Sequence, residues 1–226
     1  MADIQIRPFL PSGLDYVASM STQIIAAANY YGVSPEAVAG AIALEQNNAQ
    51  QFGNLKLGAS LLAADYILST YFSSTMAYPP IDPSTSIARD YVNSIGSVNI
   101  GSQPGSKLLN PILDDMGPAG FKLQLAIQIV LNNQSDPTFA PYVNNFYGLA
   151  VDLNSGSNLQ LTASLVAANL QLGTQFFQTH LGPLDNPQDG ADAWNALGSS
   201  QQNALLDQYY NQGQPFLLQP GATISR

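Results

Sequence analysis

Apolar side chains recur along the chain at intervals of three and four residues, and clusters of Gly, Pro, Ser and Asn interrupt them. That period belongs to helices with one inward face. The first predicted helix is Leu14 to Tyr31, opened by Ser12 with Asp15 three residues on, the spacing of a capping box, and ended by Gly32. Ser34 caps the next helix, with Pro35 in the first helical position, where its missing N–H leaves no helical bond unmade. A third helix runs from about Lys56 to Ser73, and the prolines of "MAYPPIDPSTS" then impose a long loop. A shorter helix, Ser84 to Asn93, leads into the Gly/Ser-rich passage "NSIGSVNIGSQPGS".

The second half continues in the same way. "LLNPILDDMGPAGFKLQLAIQIVLNN" reads as two helices broken at Gly117, the second apolar almost all round and so expected to be buried. Asp136-Pro137 starts another helix through "YVNNFYGLAVDL". Asn158 to His180 is long and periodic, and "NPQDGADAWNALG" holds a short helix. Ser199, with Gln202 three residues on, begins the last one, ending at Gly213. No internal repeat, heptad seam or strand alternation is visible. The pattern predicts an all-α fold: an extended segment over 1–13, one helical domain over 14–213 around a buried central helix, and an irregular tail over 214–226.

Composition narrows the chemistry. Charged residues make up only 9% of the 226, against 46% apolar; soluble domains carry roughly 25% charged residues. The surface is therefore polar through Asn, Gln, Ser and Thr. Fifteen acids against six bases leave a net charge of −9, which argues against nucleic acid or an anionic membrane as partner. The absence of Cys removes disulfides, thiol nucleophiles and thiolate metal sites. "MADIQIRPFLPSG" lacks the apolar core of a signal peptide, and no apolar run approaches the roughly 20 residues that span a bilayer. The expectation is a chain made in the cytoplasm and delivered by some other route if it acts elsewhere.

The carboxylates carry the remaining signal. Glu36 and Glu45 are the only glutamates, both within "GVSPEAVAGAIALEQNN". Glu36 falls in the first turn, where an acid meets the positive end of the helix. Glu45 comes late, above Val38, Ala41 and Ile42 at i−7, i−4 and i−3, with Ala49 and Phe52 on the following turn. Glu36 shares the other side with Ala43, Asn47 and Gln50. Two readings of Glu45 stand: a solvated carboxylate on the outer face, or a carboxyl at the lip of an apolar cleft. In the second, low polarity favours the neutral form, which can give a proton to a glycosidic oxygen.

Other chemistries lack their parts. His180 is the only histidine and no G-x-S-x-G elbow accompanies it; before Gly182-Pro183 it suits the C-terminal dipole of its helix. No phosphate loop, dinucleotide fingerprint or zinc-ligand set is present, and no cofactor is expected. An Asp/Asn-rich loop leaves a calcium site open, although no twelve-residue EF-hand loop is visible; Asp114 and Asp115 in "LDDMG" read as a helix end rather than a metal site.

"YYGVSPEAVAGAIALEQNN" resembles the catalytic helix of the goose-type lysozyme and soluble lytic transglycosylase group. Two further stretches fit in order: "SIGSVNIG", similar to the family's passage after its glutamate, and "LLDQYYNQG", similar to its late Tyr-Asn-x-Gly helix. Gln46 stands where the family has Ser after the glutamate, and Asn99 where it often has Gln, so any membership is distant. The resemblance implies a lysozyme-like fold and cleavage of the β-1,4 glycan of peptidoglycan. Glu45 would be the general acid; Ser97, Asn99 and Ile100 would line the sugar cleft; Tyr210 and Asn211 would sit across from Glu45.

An inverting hydrolase also needs a second carboxylate, roughly 6.5–9.5 Å from the first. Asp90 is the best candidate, ahead of Asp82, although a solvated residue beside Arg89 is its plain reading. A lytic transglycosylase needs no such base, because the sugar's own hydroxyl attacks. Hydrolysis is slightly favoured. With no signal peptide and an acidic chain, the resemblance implies a muramidase used as an antibacterial toxin, or a phage-type lysin, that reaches the periplasm or cell wall of a target bacterium after delivery. A toxin would imply an immunity protein as partner. The rival expectation is a non-enzymatic helical adaptor of a phage or secretion apparatus, which low charge and abundant Asn and Gln also suit.

Overall fold

The computed structural model describes residues 9–52, 115–181 and 187–217. The predicted helices Lys56–Ser73 and Ser84–Asn93 and the Ser94–Gly101 passage lie outside them. Among the described residues the fold is all-α, with one two-residue strand pair. The helices are α1 (Pro11–Ser19), α2 (Ser21–Tyr31), α3 (Pro35–Phe52), α4 (Leu123–Asn132), α5 (Phe146–Ser155), α6 (Leu159–His180), α7 (Pro187–Asn195) and α8 (Ser199–Leu217). The chain divides into two compact units, Met1–Asn47 with Val166–Arg226, and Asn48–Leu165.

In the first unit, the predicted helix Leu14–Tyr31 is two helices, parted at Met20. The Met20 side chain is fully buried, and its N–H bonds the Val17 carbonyl at 3.2 Å, closing a tighter turn. The first helix also starts earlier than predicted, with Pro11 at its N-terminus after Leu10. Gly32 ends α2 with φ +65°, the left-handed conformation that glycine adopts without steric penalty. Ser34 Oγ then accepts the Ala37 N–H at 3.3 Å and donates to Glu36 at 2.6 Å, so α3 begins as its sequence predicts.

α6 is the most enclosed element. Its ten residues from Leu161 to Leu170 are all buried. Asn158 caps it, its Oδ1 accepting the Leu161 N–H at 3.0 Å, and Gln171 Nε2 donates to the Tyr31 carbonyl at the end of α2. α7 stacks its Trp194 on Phe177 of α6, with the rings 5.7 Å apart and parallel within 2°. α8 then packs on α6 through Leu206 and Tyr209, which close on Gly173; an added Cβ there would stand 2.8 Å from the Tyr209 ring.

α8 starts at Ser199 as predicted, but Gly198 rather than Ser199 is its cap. Gly198 precedes the helix, its carbonyl accepting the Gln202 N–H and its own N–H donating to Gln201 Oε1 at 3.0 Å. That is the backward half of a capping box, with glycine in place of serine. α8 also continues through Gly213 to Leu217, beyond its predicted end.

In the second unit, Asp115 and Met116 of "LDDMG" form a short strand rather than a helix end, and Asp114 lies outside the described residues. Asp115 pairs with Lys122 and Met116 with Phe121 in an antiparallel hairpin, turned by Gly117 at φ +67°. α4 follows directly, with Leu123, Ala126, Ile127, Ile129 and Val130 buried. The helix predicted from Asp136 begins only at Phe146. Asp136 instead accepts the Thr138 N–H in a local turn at 2.8 Å, and Asn145 caps α5 by accepting the Gly148 N–H at 2.9 Å. Tyr142 ties the pieces together. Its hydroxyl donates to Asp152 at 2.5 Å and accepts from Asn158 at 3.0 Å.

Candidate functional site

α3 carries the first candidate. Val38, Ala41 and Ile42 are completely buried, and Glu45, one turn on, is half-buried. The row predicted to lie beneath Glu45 therefore does face inward. Ala43, predicted to share the outer side with Glu36, is also buried, so α3 is enclosed on more of its circumference than its sequence suggests. Glu36 is exposed in the first turn. The Ser34 hydroxyl, with a backbone hydrogen bond, holds its carboxyl below the usual range.

α8 carries the second. Tyr210 is half-buried, and Asn211 lies in the helix one residue on. Asp90, Ser97, Asn99 and Ile100 lie outside the described residues. His180 closes α6 as predicted. Its Nδ1 is 2.8 Å from the Phe176 carbonyl and so carries the proton, and its ring stacks on Phe176 at 4.3 Å.

One approach between α3 and α8 falls at Gly40 and Asp207. The Asp207 Oδ1 and Oδ2 lie 3.4 and 3.6 Å from where a Cβ at Gly40 would stand. Glu45 is five residues along α3, about 140° further round at 100° per residue. This approach brings α8 to the Gly40 side of α3. Tyr210 shares its face of α8 with Asp207, three residues apart.

Asp207 is the residue that sequence reading missed. Burial raises its pKa to about 6, and its Oδ1 carries no exposed surface. The described residues of this unit contain no Lys or Arg. A signal was present: a lone acid among Leu205, Leu206 and Tyr209, opposite a glycine placed mid-helix in α3. Such a carboxyl can exchange a proton near neutral pH.

Among the described residues, no cluster of three or more His, Asp or Glu side chains could hold a metal ion, and no helix is long and apolar enough to cross a membrane. No family model, curated protein or solved structure matches the chain.

Proposed function

We propose that the chain is a lysozyme-like enzyme that cleaves the β-1,4 MurNAc–GlcNAc bonds of peptidoglycan, with Glu45 as general acid. The observation that carries this reading is the half-buried Glu45 at the end of a row, Val38, Ala41 and Ile42, that is fully buried. Among the described residues the fold is all-α, which suits this reading.

In the proposed reaction Glu45 gives its proton to the glycosidic oxygen as the C1–O bond breaks. The leaving sugar departs as an alcohol, and the positive charge developing at C1 is met by water or by the sugar's own hydroxyl. Hydrolysis requires a base for the water, and Asp90 is the sequence candidate for that part. Delivery into a target cell wall, as a toxin countered by an immunity protein or as a phage-type lysin, completes the proposal.

Purified protein added to cell-wall sacculi should lower their turbidity, and Glu45→Gln protein should not. If neither protein clears them, the non-enzymatic adaptor is the better reading.

A further inference from the structure

We draw no further inference here: the strongest candidate, the surface patch of exposed apolar side chains that Leu14 of α1 forms with Ile25 and Tyr30 of α2, carries nothing, because nothing in the structure shows what covers it.

Discussion

The Asp207 carboxylate lies beside Gly40, with Oδ1 3.4 Å and Oδ2 3.6 Å from an ideal Cβ position there. α8 approaches α3 at a point where α3 presents no side chain. A methyl group there would make ordinary van der Waals contact, and alanine gains about 1 kcal/mol of helix propensity over glycine. Gly40→Ala should therefore unfold within about 1 kcal/mol of the parent in urea. Gly40→Leu overfills the notch and should lose about 1–3 kcal/mol.

Gly173 and Gly190 leave less room. A Cβ at Gly173 would stand 2.8 and 3.0 Å from Tyr209 ring carbons and 3.1 Å from Leu206. One at Gly190 would press directly on the Gln178 carbonyl, which is backbone and yields less readily than a side chain. Gly173→Ala should cost about 1–3 kcal/mol by overpacking, and Gly190→Ala more. The reverse order of urea midpoints would contradict the packing of α6 against α7 and α8.

Asp207 should make stability depend on pH. Its pKa is raised by burial from 3.8 to about 6, so between those values the folded protein holds more protons than the unfolded chain. The stabilisation is fully present below the lower value and lost as pH rises through the upper one. With part of the side chain still solvated, the loss is on the order of 1 kcal/mol. Asp207→Asn should remove this fall and make the protein more stable than the parent near neutral pH, as read from thermal midpoints at several pH values.

The sequence carries much of this fold where a local signal and the tertiary structure agree. Gly32, Ser34 and Pro35 mark the junction of α2 and α3, and Asn158 and His180 bracket α6. The failures share a cause: an interaction distant in sequence, or a competing local bond, decides the outcome. Met20 parts two helices as its side chain enters the core. Asn145 captures the start of α5 from Asp136. The Asp115–Met116 pairing depends on Phe121–Lys122 across a glycine turn, which periodicity over so few residues does not reveal. At the candidate site, the inward row beneath Glu45 follows from helical spacing. Asp207 emerges only once α3 and α8 are brought together.

Tyr142 gives a test of the second unit. Burial, the hydrogen bond to Asp152 and the nearby carboxylate charge push its phenol to about 12, against a smaller opposing pull from Asn158. It therefore stays protonated and donating under ordinary conditions. Tyr142→Phe removes the donor for Asp152 and the acceptor for Asn158, and should cost about 1–2 kcal/mol. Equal stability of parent and variant in urea would show that this network adds nothing.

The proton donor is the centre of the account. Sacculi digested with parent and Glu45→Gln proteins, with soluble fragments identified by mass spectrometry, test it most directly. The prediction is muropeptide release by the parent and loss of at least about a hundredfold in the variant, the scale of removing a general acid. Reducing ends would mean that water attacks, and anhydro ends that the sugar does. Equal release by the two proteins, or none by the parent, would contradict the assignment of Glu45.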